Sequence, residues 1–96
     1  MGAIEFRRRI DSLCHRFVPA GDVDGLPVWK REDLDLWLVR HSREGWVVVD
    51  AAGTVLGRPS SVLPSSQADL PPQGEWVSKR AGSGYVYDLA FVQPST

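Results

Sequence analysis

The spacing of hydrophobic residues near the N-terminus predicts an amphipathic helix over residues 3–18. Apolar side chains recur there three and four residues apart, which places them on one face of a helix. They are Phe6, Ile10, Leu13, Cys14 and Phe17. Pro19 follows and prevents the helix from continuing. On this helix the three consecutive arginines at 7–9 would point in different directions around the solvent-exposed surface and would not form a single basic patch. The Cys14 thiol is expected to be buried and unreactive.

Residues 31–43 fit two hydrophobic patterns. In a strand, the leucines at 34, 36 and 38 alternate with Asp33, Asp35 and Trp37 at a period of two. In a helix, one face would carry Leu34, Trp37, Leu38 and His41. We favour the strand, because both of its faces are apolar and a β-rich segment follows directly. A second helix over 31–43 is the alternative.

From residue 46 onward the pattern is typical of hairpins. Residues 46–50 and 54–57 are rich in valine and leucine and flank Gly53, which suits a three-residue hairpin loop. Residues 75–80 and 85–92 flank a second glycine-containing turn at 82–84. Between the hairpins, residues 59–74 hold four serines and four prolines and are expected to form a mobile loop. The predicted fold is therefore α+β, a single domain over 1–96 with an N-terminal amphipathic helix packed on a mostly antiparallel, meander-like sheet of four to six strands.

Composition narrows the classes of partner. The chain has 96 residues and a net charge of −1, and its first 43 residues carry eight basic and seven acidic side chains. Nucleic acid is therefore an unlikely partner, because non-specific phosphate binding needs clustered positive charge. No apolar run is long enough for a membrane span. The single cysteine cannot form an internal disulfide, so a reducing, cytoplasmic location without a membrane is expected.

Motifs for catalysis or metal binding are absent from the sequence. Cys14, His15 and His41 are the only cysteine and histidines, and their spacing does not match a zinc site. The Asp22–Gly25 segment begins like a calcium loop, but Arg31 stands where the loop needs its glutamate. We therefore expect no cofactor and no metal, and a protein that is not an enzyme.

Four tryptophans in so small a chain suggest a binding surface as well as a core. With a loop of two or four residues near Gly45, the alternation of side chains along the strands places a group of aromatic and other residues on one face of the sheet, here called the aromatic sheet face. Its predicted members are Trp37, His41, Trp46, Val48, Leu56 and Arg58. The N-terminal helix would cover the opposite face, so this one must be closed by the chain itself, a partner or a ligand.

Three functions are compatible with this interpretation. The first is a non-catalytic binding or interaction module that uses the aromatic sheet face to bind a second copy of itself, as a homodimer, or another protein. The second is a small-molecule-binding domain, or a small enzyme, with an aromatic-lined pocket edged by His41, Asp50, Arg58 and Tyr87. The third is a DNA-binding accessory protein, which requires the helix over 31–43.

Overall fold

The chain folds as eight consecutive β-strands in a computed structural model that describes residues 2–60, 67, 69–78 and 84–92. The strands are β1 (Ile4–Arg8), β2 (Cys14–Val23), β3 (Leu26–Arg31), β4 (Trp37–His41), β5 (Gly45–Val49), β6 (Val55–Pro59), β7 (Gly74–Ser78) and β8 (Val86–Phe91).

The strands form a closed antiparallel barrel in which each strand pairs with the next along the chain. The ring is completed by β1 and β8, which place Ile4 opposite Phe91 and Phe6 opposite Leu89. Just beyond this pairing, the Val92 amide donates to the Ala3 carbonyl at 2.9 Å. Closure leaves no strand edge of the barrel unpaired, which removes the usual template for edge-to-edge aggregation.

Alternation along the strands decides which side chains fill the barrel. Cross-strand partners face the same side of a sheet, so one interior row runs through Trp29, Leu38, Val48, Gly57 and Ser78. The buried core is formed by large apolar side chains: Ile4, Phe6, Phe17, Trp29, Leu38, Trp46, Trp76 and Leu89. These residues come from every strand except β6, so the core is shared around the ring.

One end of the barrel, here called the closed end, is filled by two tryptophans. Trp29 and Trp46 are fully buried there, and their rings meet edge to face with centroids 5.9 Å apart. The Trp29 indole donates to the Gly2 carbonyl at 3.0 Å. Gln67, from the β6–β7 connection, is buried at this end and accepts a hydrogen bond from the Trp46 amide at 2.6 Å. Both ends of the described chain, the β2–β3 and β4–β5 connections and Gln67 therefore lie at the closed end.

The predicted α+β fold with an N-terminal helix over 3–18 is wrong, because this region forms a β-hairpin of β1 and β2. Its turn contains Asp11, whose carboxylate accepts from the Leu13 amide, and Ser12, which has a positive φ of 60°. Ile10 and Leu13 lie on this exposed turn. They matched a helical stripe only by their spacing.

Among the described residues, no helix is long and apolar enough to cross a membrane.

The strand interpretation of 31–43 is correct for its second half, and the alternative of a helix is wrong. Residues 37–41 form β4, and residues 32–36 connect it to β3. The Arg31 amide donates to the Leu36 carbonyl at 2.9 Å, which closes this connection. The predicted meander of four to six strands thus becomes a ring of eight.

The hairpin around Gly53 has the predicted loop but a different register beyond it. The Asp50 amide donates to the Thr54 carbonyl at 3.1 Å, and Gly53 has a φ of 83°. Val48 pairs with Gly57 rather than with Leu56, while Val49 pairs with Val55. Leu56 is therefore the extra residue of a β-bulge. Within the predicted mobile loop 59–74, residues 61–66 and 68 lie outside the described residues, so its mobility stays a prediction.

Candidate functional site

A cavity of about 490 Å³ occupies the end of the barrel opposite Trp29 and Trp46, here called the open end. Its apolar lining consists of Phe6, Phe17, Leu34, Leu36, Val48, Leu56, Gly57, Trp76 and Val77. Its polar lining consists of Arg8, His15, Arg31, Ser78, Tyr85 and Tyr87. The cavity thus combines an aromatic and aliphatic interior with a smaller set of polar groups.

The aromatic part of the cavity is built around Phe6. Its ring contacts those of Phe17 and Trp76 edge to face, with centroids 5.2 and 5.1 Å away. The Trp76 indole donates to the Pro72 carbonyl at 2.9 Å, which satisfies its polar atom outside the cavity. Because all three side chains are almost fully buried, they present a fixed apolar wall.

Three consecutive strands supply basic and imidazole groups to the same cavity. Arg8 is at the end of β1, His15 near the start of β2 and Arg31 at the end of β3. Both arginines are sheltered, with side chains 19% and 13% exposed, whereas the neighbouring Arg7 side chain is 57% exposed. Alternation explains the difference, because Arg8 follows Ile4 and Phe6 into the barrel and Arg7 does not.

Each sheltered arginine is paired with an aspartate of its own loop. Arg8 Nε donates to Asp11 Oδ1 at 2.9 Å, and its Nη2 donates to Oδ2. Arg31 makes the same two-point pair with Asp33, at 2.6 and 3.1 Å. The pair with Asp11 raises the pKa of Arg8, and the same hydrogen bonds lower the pKa of Asp11 to about 2. Hydrogen bonding to Arg31 lowers the pKa of Asp33 in the same way.

Two tyrosines face these basic groups from β8 and the turn before it. The Arg8 guanidinium lies over the Tyr85 ring, 4.5 Å from its centroid, in a cation–π contact. The Tyr87 and His15 ring centroids are 5.6 Å apart. Among the described residues that line the cavity, none carries a carboxylate, since Asp11 and Asp33 lie outside the lining. The polar side of the cavity therefore presents two ion-paired arginines, an imidazole and two phenol rings, while the paired carboxylates lie outside the lining.

Exposed apolar side chains concentrate around the mouth of this cavity. Ile10 is 77% exposed, and Leu13, Leu34 and Tyr85 are also exposed. All four lie on the β1–β2, β3–β4 and β7–β8 connections of the open end. The apolar lining thus continues outward onto the loops.

The predicted aromatic sheet face is divided between the two sides of the barrel wall. Val48 and Leu56 line the cavity, and Trp46 is buried at the closed end. Trp37 pairs with Lys30 and Val49, a row that faces outward. His41 and Arg58 are also outside the cavity lining, and His41 Nδ1 instead accepts from the Arg43 amide at 3.2 Å.

The length of one loop accounts for the outward position of Trp37 and His41, and the β-bulge at Leu56 accounts for that of Arg58. The β4–β5 hairpin pairs His41 with Gly45 across three loop residues, and Gly45 has a φ of 76°. The prediction assumed two or four residues, which shifts the register by one and turns every side chain of β4 to the other face. Self-association through Trp37 or Arg58 on the outer surface stays a prediction.

The sequence interpretation missed Arg8, His15 and Arg31 as members of a site. Of the four residues predicted to edge a pocket, Tyr87 lines the cavity and His41, Asp50 and Arg58 do not. The available signal was the period-two alternation of Ile4, Phe6 and Arg8, and of His15 and Phe17.

Cys14 is exposed at the start of β2, which corrects the expectation of a buried thiol, and its Sγ lies 3.7 Å from the Ser12 carbonyl. Among the described residues, no group of three His, Cys, Asp or Glu side chains is placed to hold a metal ion. The sequence-based expectation that no metal or cofactor is needed stays a prediction.

Comparison of the chain with protein-family models, curated proteins and solved structures found no match. The open-end cavity is therefore the main indication of function.

Proposed function

We propose that this protein is a non-catalytic binding module that holds a small molecule in the open-end cavity. The observation that carries the proposal is the unequal filling of the barrel. Trp29 and Trp46 fill the closed end, whereas about 490 Å³ remains at the open end. An eight-stranded barrel is just wide enough either to be filled by its own side chains or to hold one small ligand.

The size and lining of the cavity support this proposal. Small-molecule sites commonly have volumes of roughly 300–1,000 Å³ and combine apolar walls with a few polar groups that orient the ligand. Here Phe6, Phe17 and Trp76 offer aromatic surface, and Arg8 and Tyr87 offer polar atoms. An apolar ring or short chain would bury its surface against the three aromatic side chains.

The barrel also has the rigidity that binding requires. The site residues lie on or next to strands that are hydrogen-bonded to neighbours on both sides, so they keep their positions without a ligand. A preformed site avoids the ordering of loops and side chains that otherwise weakens binding.

The test uses N-phenyl-1-naphthylamine, an uncharged fluorophore whose emission rises in apolar surroundings. We expect saturable binding with one molecule per barrel. Val48→Phe should weaken it by about tenfold or more, which corresponds to ~1.4 kcal/mol. The added ring would occupy the cavity beside Gly57, the cross-strand partner of Val48, which has no side chain.

Val49→Phe is the matched control, because it places the same side chain on the outer face, next to Trp37. It should leave the affinity unchanged. Cooperative thermal melting of both variants verifies that they are folded. Absence of saturable binding by the wild-type protein, or equal effects of the two variants, would refute the proposal.

A further inference from the structure

We infer that the molecule held in the open-end cavity is an anionic amphiphile, with one carboxylate- or sulfonate-like group recognised by Arg8 and Arg31. This inference rests on the proposed function and deepens it. The apolar body of the ligand would lie against Phe6, Phe17 and Trp76, and its charge would remain at the mouth.

The charge of the lining favours an anion. Two arginines line the cavity, and no carboxylate does so among the described residues. The side chains of both arginines are more than four-fifths covered, so part of the water around them is excluded. Electrostatic attraction is stronger in such surroundings than at an exposed surface.

The geometry of the ion pairs occupies only part of each guanidinium group. A guanidinium has five N–H donors, and a two-point pair with a carboxylate uses two of them. Asp11 engages Nε and Nη2 of Arg8, and Asp33 engages the same two nitrogens of Arg31. The pairs therefore leave Nη1 of each arginine outside the contact with aspartate, and the Arg8 side chain also hydrogen-bonds to that of Tyr87.

The two aspartates act as positioning residues rather than as ligand contacts. Their side chains are 46% and 65% exposed, and they hold the arginines from the loops while remaining outside the lining. Water screens their negative charges more than it screens the sheltered guanidinium groups. A ligand anion inside the mouth would therefore experience the arginines more strongly than the aspartates.

An apolar cavity without such groups would not favour one charge. A cationic ligand would meet Arg8 and Arg31 without a carboxylate in the lining to balance its charge. A neutral ligand would leave Nη1 of both arginines without a new partner. The anion is thus the ligand class whose charge complements the polar side of this cavity.

The experiment compares two probes that share an apolar body. 8-Anilino-1-naphthalenesulfonate is N-phenyl-1-naphthylamine with an added sulfonate, so the pair isolates the effect of one negative charge. We expect the sulfonate to bind about tenfold or more tightly than the neutral probe at low salt. High salt should weaken sulfonate binding and leave neutral-probe binding unchanged.

The variant Arg8→Gln/Arg31→Gln should weaken sulfonate binding by about tenfold or more and change neutral-probe binding less than twofold. Retained binding of the neutral probe verifies that the barrel and its cavity are intact. Arg7→Gln is the matched control, because Arg7 neighbours Arg8 but is exposed and paired with Glu5 outside the cavity. It should alter neither probe.

Asp11→Asn gives a further readout, because it removes a negative charge beside Arg8 but keeps a side chain of similar shape. We expect it to leave sulfonate binding as tight as in the wild type or tighter. Equal affinities for the two probes, or sulfonate binding that survives the double arginine variant, would overturn this inference while leaving the proposed function standing. Failure of both probes to bind the wild-type protein would refute the proposed function and this inference with it.

Discussion

The two ends of the barrel use the same strands and the same alternation but solve different physical problems. At the closed end, Trp29 and Trp46 bring enough volume to fill the space between the strands completely. At the open end, the inward positions at the same ring of strands are taken by Arg8, Arg31 and Tyr87, which leave a cavity. The difference shows that a closed barrel fixes the width of its interior and leaves the inward side chains to decide whether it is filled.

Polar groups are also satisfied differently at the two ends. At the closed end, indole and backbone donors are bonded to neighbouring chain segments, as in the contacts of Trp29 with Gly2 and of Trp46 with Gln67. At the open end, charged groups pair within their own loops, as Arg8 does with Asp11. Stability should therefore depend more on the contacts between segments at the closed end than on the loop ion pairs at the open end, which instead influence ligand preference.

The largest expected effect is on the free energy of unfolding, and it is measured by comparing two leucines of one chain segment. Leu38→Ala should lower the free energy of unfolding by about 2–5 kcal/mol, because Leu38 is fully buried between Trp29 and Val48. Leu36→Ala should lower it by about 1 kcal/mol or less, because Leu36 is half-buried and already borders the cavity. Urea denaturation of the two variants measures the difference, and similar losses would show that a side chain bordering the cavity contributes as much to stability as one in the filled core.

The next comparison concerns two hairpin glycines with positive φ. A Cβ at Gly45 would lie 2.9 Å from Gln67 Cδ, whereas a Cβ at Gly53 would have no atom within 4 Å. Gly53→Ala should therefore cost only the backbone strain, about 1 kcal/mol. Gly45→Ala should cost roughly 2–4 kcal/mol, since it also displaces the Gln67 side chain from the Trp46 amide.

Thermal and urea unfolding of the two alanine variants test this prediction. If Gly45→Ala is no more destabilising than Gly53→Ala, then the contact of Gln67 with the β4–β5 hairpin contributes little. Gln67→Ala gives a separate check, and the exposed Gln73 serves as its control.

The smallest expected effect is the acid response of the open end. The Arg8 guanidinium lowers the pKa of Asp11 to about 2 from its ordinary 3.8, so Asp11 stabilises the fold above about pH 3.8. This contribution is lost as the pH falls toward 2 and Asp11 becomes protonated. Asp11→Asn should therefore flatten the dependence of unfolding free energy on pH in this window and leave other carboxylates to determine the rest.

Carboxyl NMR titration tests the cause directly. In Arg8→Gln the pKa of Asp11 should rise toward 3.8, whereas Arg7→Gln should leave it near 2. An unchanged Asp11 pKa in Arg8→Gln would mean that the backbone hydrogen bond from Leu13 is sufficient to lower it.

The fold could be predicted from the sequence where hairpins are local. The segment around Gly53 combines alternating apolar residues with a loop glycine, so its strands were predicted correctly. The N-terminal hairpin was mistaken for a helix because Ile10 and Leu13 continued the spacing begun by Phe6, although Asp11 and Ser12 are typical turn residues. The pairing of β1 with β8 joins residues about 80 positions apart. No local pattern could reveal it.

The site was harder to predict than the strands, because it depends on the phase of alternation in several of them. Once β1 is a strand, Ile4 and Phe6 place Arg8 in the barrel, and the run of three arginines is divided between two faces. Arg9 then forms an outer ion cluster with Glu75 and Asp88, at 2.9 and 2.7 Å. A helix distributes the same three residues around its axis, so the wrong element also concealed the site.

The adjacency of Ala3 and Val92 determines how the barrel would behave as part of a larger assembly. Their backbone hydrogen bond brings the two ends of the described chain side by side behind the tryptophan-filled end. A tag or neighbouring domain attached next to either residue would therefore begin at the end of the barrel opposite the mouth. The same proximity would allow a short peptide to join the two ends, so that the chain could be cut at the Gly53 turn to give a circularly permuted barrel.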